Sequence, residues 1–122
     1  MELRRRGGIV WIELEGDISF YNAGIIKQRI LNALKPEDKT AIMNLSKVNF
    51  MDSAGLSVII SLFKHMKDLG GSLELEYPKL GVQKFLEMTR LDQLIEIKKT
   101  KEPTTGSWEE VSKGKVYKTK NK

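Results

Sequence analysis

The sequence contains no cysteine, one histidine and no long hydrophobic run, and each absence excludes a class of protein. Without cysteine, the 122-residue chain has no disulfide, no thiolate metal ligand and no cysteine nucleophile. The single histidine, His65, lacks companions at metal-ligand spacing. No apolar stretch approaches the roughly 20 residues of a membrane span, and the N-terminus alternates like a strand, unlike an export signal. We therefore expect a cytoplasmic protein without a cofactor or a membrane partner.

The basic excess lies entirely at the C-terminal end. The formal net charge is +5, yet residues 1–97 carry 13 basic and 13 acidic side chains, whereas residues 98–122 carry eight lysines and three glutamates. The main part is neutral and lacks the basic face that nucleic-acid binding requires, so a nucleic-acid partner is not expected. We expect one domain at residues 1–102, then a basic extension at residues 103–122 that forms a short helix followed by a mobile tail.

Apolar periodicity predicts five strands that alternate with three helices. A short strand precedes Gly7 and Gly8, and the other strands are WIELEG, TAIMNLSKV, SLELEY and LIEIKK. The helices are NAGIIKQRILNALK, with Asn22 as its N-cap, SAGLSVIISLFKHMKDLG and GVQKFLEMTRLDQL. TAIMNLSKV is apolar at nearly every position, which predicts a strand covered on both faces. Strands joined through helices require a parallel or mixed sheet, so the predicted fold class is α/β.

Asp52 and Ser53 stand where the third predicted strand meets the second predicted helix, a position at which sites gather in α/β sheets. Both are preferred N-cap residues, because their oxygens accept the unpaired N–H groups of a first helical turn. A serine nucleophile needs a base within hydrogen-bond reach, and His65 lies twelve residues along the helix, roughly 18 Å away. No carboxylate pair or phosphate-binding glycine loop stands out, so an enzyme is not expected.

Phosphorylation is a further interpretation of Ser53. Ser57 and Ser61 follow it at intervals of four, so the three hydroxyls form a narrow ridge on one helix face. A phosphate would add about −1.5 to −2 charges, which a helix N-terminus tolerates and a protein interface does not. The residues alone leave capping and switching open, and the two are compatible.

The segment NLSKVNFMDSAGLSVIISLFKHMKDLGGSLEL resembles the STAS domain of bacterial anti-sigma factor antagonists. The shared pattern is an apolar strand, an Asp-Ser-Ala-Gly-Leu turn, a helix and a Gly-Gly exit. The Gly-Asp-Ile turn at residues 16–18 and the segment KFLEMTRLDQLIEI match two further landmarks, so the resemblance covers about residues 8–98. It implies the STAS fold, a mixed sheet of about five strands with helices mainly on one face.

The resemblance also implies a function. Such antagonists bind an anti-sigma factor that is also a serine kinase, and thereby free a sigma factor. The kinase phosphorylates the serine after the motif aspartate, here Ser53, which weakens the complex, and a phosphatase reverses the modification. Ala54 and Gly55 would keep the helix start free of bulk for the partner. The implied partner-binding residues are Asp17, Ser19, Asp52, Ala54, Gly55, Ser57 and Ser61.

Two departures from the family pattern keep alternatives open. Ser19 stands where many members have an aspartate near the phosphosite, which would weaken or retune kinase recognition and favours a divergent STAS module that senses a nucleotide or another small ligand. The family usually ends in an amphipathic helix, whereas this chain continues into TTGSWEEVSKGKVYKTKNK. There Trp108 and Val111 would dock on the sheet, or Trp108 would anchor a partner. The lysines form a solvated tail or, in a third hypothesis, contact nucleic acid.

Overall fold

The computed structural model describes residues 1–99, which form one five-stranded sheet and three helices. The strands are β1 (Glu2–Arg6), β2 (Ile9–Ile18), β3 (Thr40–Met51), β4 (Ser72–Glu76) and β5 (Glu96–Lys98). The helices are α1 (Ala23–Ala33), α2 (Ser53–Asp68) and α3 (Leu80–Met88), and a 3-10 turn follows at Leu91–Gln93. The predicted domain end at residue 102, the short helix with Trp108 and the lysine-rich tail lie outside the described residues.

The sheet is mixed, as predicted, and its strands lie in sequence order from β1 to β5. β1 pairs antiparallel with β2 through a turn at Gly7 and Gly8, whose φ angles of 58° and 84° favour glycine. The remaining neighbours pair in parallel, β2 with β3, β3 with β4 and β4 with β5. Each parallel connection contains one helix, as a crossover requires. The predicted α/β architecture with a five-stranded mixed sheet is confirmed.

The hydrophobic core lies on one face of the sheet, between the strands and the helices. Alternate residues of β2 and β3 are fully buried there, among them Ile12, Leu14, Met43 and Leu45. The prediction that TAIMNLSKV is covered on both faces is wrong, because the intervening positions Ile42 and Asn44 are only half-buried. Apolar residues at consecutive positions therefore mark one covered face and one partly exposed face in this strand.

Two helices differ in detail from the periodic pattern. The predicted inward stripe of α2 included Leu56, Ile60 and Phe63, but these three side chains pack only partly against the core. The buried stripe is rotated from the predicted one and consists of Val58, Ile59, Leu62 and Met66. The predicted third helix is in fact two separate elements, α3 and the 3-10 turn. α3 ends at Met88, and Arg90 between them adopts a left-handed φ of 63°, at which a right-handed α-helix cannot continue.

In the part of the chain that the structure describes, no helix is long and apolar enough to cross a membrane.

A buried carboxylate fastens the end of α1 to the edge strand. The Asp38 side chain, 1% exposed, accepts hydrogen bonds from Arg5 Nε at 3.1 Å, Arg5 Nη2 at 2.9 Å and the Lys35 N–H at 2.8 Å. Arg5 Nη2 also donates to the carbonyl oxygen of Ala33 at 2.8 Å. The hydrogen bonds from Arg5 lower the pKa of Asp38, against the opposing effect of burial.

Candidate functional site

The candidate site lies at the carboxyl ends of two adjacent strands, β2 and β3. Ile18 at the end of β2 is in register with Met51 at the end of β3, and the Asp52 N–H extends the pairing by donating to the Ile18 carbonyl oxygen at 3.3 Å. Register shifts between Glu13 and Glu15 and between Gly16 and Asp17 precede this end of β2. Such irregularities turn a strand and redirect its exit. Both strand ends therefore deliver their following loops to the same place.

Asp52 is the N-cap of α2, and both of its carboxylate oxygens are engaged. Oδ1 accepts the N–H groups of Ala54 at 2.9 Å and Gly55 at 3.2 Å, which are among the donors that a helix start leaves unpaired. Oδ2 accepts the N–H of Phe20, 3.2 Å away in the loop between β2 and α1. The capping role that composition suggested thus belongs to Asp52. Its other oxygen joins the helix start to the neighbouring loop.

Ser53 is the first residue of α2 and is exposed. Its hydroxyl makes no hydrogen bond within residues 1–99, and the N–H groups of Ala54 and Gly55 that could approach it are taken by Asp52. A phosphate added there would sit beside the Asp52 carboxylate, without an unpaired N–H from those two residues to offset its charge. Ser53 therefore offers an accessible hydroxyl, and the N–H groups of Ala54 and Gly55 would not neutralise a negative charge added to it.

The loop between β2 and α1 is held by Asn22 and Ser19. The Asn22 side chain accepts the Ser19 N–H at 2.9 Å and donates to the Asp17 carbonyl oxygen at 2.8 Å. The Ser19 carbonyl oxygen in turn accepts the N–H groups of Asn22 and Ala23 at 3.0 and 2.8 Å. Asn22 stands at the N-cap position, but its side chain makes no capping hydrogen bond to α1. The predicted N-cap position of Asn22 is therefore confirmed, whereas its side chain holds the loop and does not cap α1.

The predicted partner-binding residues and the predicted phosphoacceptor Ser53 fall into three groups by exposure. Asp17, Ser57 and Ser53 are exposed, whereas Ser19, Asp52, Ala54 and Ser61 are half-buried. The ridge of hydroxyls is therefore open at its first two positions and partly covered at Ser61. Gly55 is buried. A Cβ there would lie 2.7 Å from the Ile18 carbonyl oxygen and 2.5 Å from Met51 Cγ, so glycine permits close packing of α2 on the strand ends.

Sequence reasoning missed Phe20 and Tyr21, which stand beside this site. Their side chains are 70% and 83% exposed, and their rings stack with centroids 4.2 Å apart and an interplanar angle of 28°. Exposed aromatic pairs are unusual on a surface that contacts only water, and aromatic residues dominate binding hot spots. The available signal was two adjacent aromatic residues between a strand and a helix, outside any apolar period.

A shallow groove of about 200 Å³ runs between α1 and α2 next to Ser53. It is lined by Phe20, Ala23, Gly24, Lys27, Ala54, Ser57 and Val58. Its lining combines small residues from both helices with the apolar ring of Phe20 and the cationic side chain of Lys27. Small-molecule sites usually measure about 300–1,000 Å³, so this groove better fits a side chain of a partner protein. Among residues 1–99, no three His, Asp or Glu side chains are grouped to hold a metal ion.

The sequence of the chain is similar to that of known proteins. The family model for the STAS domain matches residues 1–103. The anti-sigma-B factor antagonist of Bacillus subtilis (strain 168) is 27% identical over 97 residues, which cover 80% of this chain and 88% of that protein.

Solved structures show the same fold. A crystal structure of a Thermotoga maritima protein assigned as an anti-sigma factor antagonist superposes with a TM-score of 0.75 at 26% identity, covering 90% of this chain and 92% of that one. The Bacillus cell fate determinant SpoIIAA in its phosphorylated form superposes with a TM-score of 0.64 at 21% identity, covering 84% of this chain and 92% of that one. The five-stranded mixed sheet with its helices is thus an arrangement that these proteins share.

Proposed function

The chain belongs to the STAS domain family, and from this membership and the open position of Ser53 we propose that it is an anti-sigma factor antagonist switched by phosphorylation. In its unphosphorylated form it binds an anti-sigma factor and so frees a sigma factor for transcription in the cytoplasm. The anti-sigma factor also acts as the serine kinase. In this reaction the chain is the substrate and the anti-sigma factor is the enzyme, because Ser53 receives the phosphoryl group.

The observation that carries the proposal is the exposed Ser53 hydroxyl at the start of α2, beside an N-cap carboxylate that already takes two helix N–H groups. A kinase would transfer the terminal phosphoryl group of ATP to Ser53 Oγ. The new P–O bond forms as the bond to the departing ADP breaks, and the hydroxyl proton is released. The product carries about −1.5 to −2 charges next to Asp52. Burying that charge against a partner is costly unless the partner supplies cations, so modification separates the two proteins and leaves the fold intact.

The binding surface extends from Ser53 over its neighbours. We assign Asp17, Ser57 and the Phe20–Tyr21 pair to direct partner contact because all four side chains are exposed, and Phe20 and Ser57 also line the groove between α1 and α2. Ser61 is half-buried and would contribute at the margin of this surface. Three further residues would support this surface indirectly, by holding its elements in place. Asp52 holds the start of α2, Ser19 holds the loop between β2 and α1, and Gly55 lets α2 pack on the strand ends.

Mass spectrometry after phosphorylation tests the proposal. The full chain is mixed with ATP and with each kinase-type anti-sigma factor of its own organism, and the modified residue is identified from phosphopeptides. We expect one factor to modify Ser53, no modification in Ser53→Ala, and unchanged modification in the matched variant Ser72→Ala, at an exposed serine at the start of β4. A phosphatase from the same organism should remove the group. If no such factor binds or modifies the chain, the proposal is wrong.

Small-ligand sensing remains the second candidate because of Ser19, and calorimetry separates it from the switch. The switch requires no nucleotide on this chain, so titration of the isolated chain with ATP or GTP should release no heat of binding. Saturable nucleotide binding without any anti-sigma partner would favour the sensing role instead.

A further inference from the structure

The sheet has one face that no element of residues 1–99 covers. The strand residues that alternate with the core positions point away from the helices, and several of them are only half-buried. We call this surface the open face. It consists of two rows of residues in register across the sheet, namely Arg4, Trp11, Ile42, Glu74 and Glu96, and Glu2, Glu13, Asn44, Glu76 and Lys98.

The centre of the open face is apolar. Trp11 on β2 is directly in register with Ile42 on β3, and both side chains are half-buried, although no helix packs on them. A tryptophan beside a branched aliphatic residue on adjacent strands forms a favourable cross-strand pair. Their remaining exposed surface would gain free energy from a further covering layer.

On β4 and β5 the open face carries three glutamates and one lysine. Glu74 on β4 lies directly in register with Glu96 on β5, an arrangement of like charges that destabilises a sheet. Lys98 is in register with Glu76, but its Nζ lies over the ring of Tyr77, 5.8 Å from the centroid. The ion pairs within residues 1–99 leave out Glu74, Glu76 and Glu96. A cationic segment laid across β4 and β5 would relieve this repulsion.

The chain itself contains a segment of matching chemistry. Residues 100–122 carry six lysines and three glutamates, and no acidic residue follows Glu110. The same segment includes Trp108 and Val111, two apolar side chains that one helical turn would bring together.

The segment can reach the open face from where the described chain ends. It leaves β5, an edge strand of the sheet, beyond Lys98 and thus close to Glu76. The nine residues that follow Lys99, up to Trp108, span up to about 30 Å when extended. β3 lies two strand spacings, about 10 Å, from β5.

We propose that residues 100–122 fold back onto the open face of the same chain. Trp108 and Val111 cover Trp11 and Ile42, and the lysines beyond residue 112 lie over the glutamates of β4 and β5. The docked segment adds a second layer to the sheet and leaves Ser53 on the helical side accessible. This inference is independent of the function proposed for Ser53.

A spin label on the segment tests the docking in the full chain. Because the sequence has no cysteine, Lys118→Cys provides one unique attachment site. Paramagnetic broadening of backbone amide signals is then measured by NMR at low and at high salt. We expect the amides of Ile42 and Glu74 to lose intensity at low salt and to recover it at high salt, because screening weakens the lysine contacts. The amides of Ser57 and Ser61 on α2 should keep their intensity.

Charge reversal provides matched variants of the labelled chain. Glu96→Lys, at an exposed position on the open face, should reduce the broadening at Ile42 and Glu74, and adding Glu76→Lys should abolish it. Asp68→Lys introduces the same change of charge on α2, outside the open face, and should leave the broadening as it is. An equal effect of Asp68→Lys and Glu96→Lys would contradict a specific contact.

Other occupants of the open face give different results. Contacts between copies are measured in a mixture of two chains, one with the spin label only and one with the isotope label only. Broadening of the same size in this mixture would mean that a second copy supplies the segment. Absence of broadening at Ile42 and Glu74, together with salt-sensitive DNA binding by the full chain, would show that the lysines serve nucleic acid. Either result overturns the proposal.

Discussion

The backbone N–H of Phe20 donates a hydrogen bond to Asp52 Oδ2 across the gap between two strand ends, at 3.2 Å. The other oxygen of the same carboxylate caps the helix that begins with Ser53. One side chain therefore fixes the aromatic pair and the proposed phosphoacceptor relative to each other. The proposed partner contact at Phe20 and Tyr21 and the proposed phosphorylation site at Ser53 therefore both depend on Asp52.

Removal of the Asp52 carboxylate should destabilise the domain. Asp52→Ala leaves the N–H groups of Ala54, Gly55 and Phe20 without their acceptor, and loss of an N-cap costs about 0.5–2 kcal/mol. Asp52→Asn keeps one acceptor oxygen and should cost less. Urea unfolding gives both values. A wild-type midpoint in Asp52→Ala would mean that this hydrogen-bond pattern does not support the fold.

Gly55 should not tolerate a methyl group. Gly55→Ala places a Cβ 2.7 Å from the Ile18 carbonyl oxygen, which belongs to a paired strand and cannot easily move, so we expect a loss of about 1–3 kcal/mol in the free energy of unfolding.

Gly81→Ala is the matched control for Gly55→Ala. Gly81 is also helical, has open space at the Cβ position and should become more stable by about 0.4–1 kcal/mol. Equal effects of the two substitutions in thermal or urea unfolding would refute the packing role of Gly55.

The aromatic pair should matter for binding and hardly for folding. Phe20→Ala or Tyr21→Ala removes a side chain that is largely exposed in the free protein, so the unfolding midpoint should stay close to wild type. Hot-spot truncations cost about 2 kcal/mol or more, which corresponds to an affinity for the anti-sigma factor reduced about 30-fold. Met88→Ala, at an 82% exposed site on α3, is the control and should bind normally. If an anti-sigma factor binds all three variants alike, the pair is not its anchor.

The ion pair of Arg5 and Asp38 should make stability depend on pH. Because the hydrogen bonds from Arg5 lower the pKa of Asp38 in the folded state, its contribution is complete above the ordinary carboxyl pKa of about 3.9 and is lost as the pH falls through the folded value. Asp38→Asn should therefore be less stable than wild type at pH 7, and the difference should shrink from about pH 5 downward.

Urea midpoints at successive pH values measure this effect, with Asp92→Asn, at an exposed site, as the control. For the control, the midpoint should follow that of the wild type at every pH. A difference between Asp38→Asn and wild type that stays constant down to pH 2 would show that the carboxyl is not the titrating group.

The sequence was sufficient for the fold because its local patterns agree with one another. Alternation in WIELEG, the Gly-Gly exit after α2 and the helical connections together specify a mixed sheet, and the structure confirms it. Ile25 shows the limit of such patterns, because it fits the helical period of α1 and is nevertheless 60% exposed. The helical spacing of apolar residues predicts which side chains share one face of a helix. It does not predict how much of that face the neighbouring elements cover.

The site was predictable in its position and not in its contacts. Asp52 and Ser53 could be found because a polar pair interrupts two apolar runs. The hydrogen bond from Phe20 to Asp52 joins residues 32 positions apart, and no local pattern encodes it. Likewise, the close approach of Gly55 to Ile18 depends on how α2 settles on the strand ends. Such contacts arise from tertiary packing and become visible only in the folded chain.

The affinity of the chain for its anti-sigma factor, measured by calorimetry with and without a phosphate on Ser53, tests the central claim most directly. The account predicts that the phosphorylated chain binds at least about tenfold more weakly, a change of roughly 1.4 kcal/mol. The neutral variant Ser53→Asn should bind like the unmodified protein, and all three forms should unfold at similar urea concentrations. Equal affinity of the phosphorylated and unmodified chains would contradict the switch.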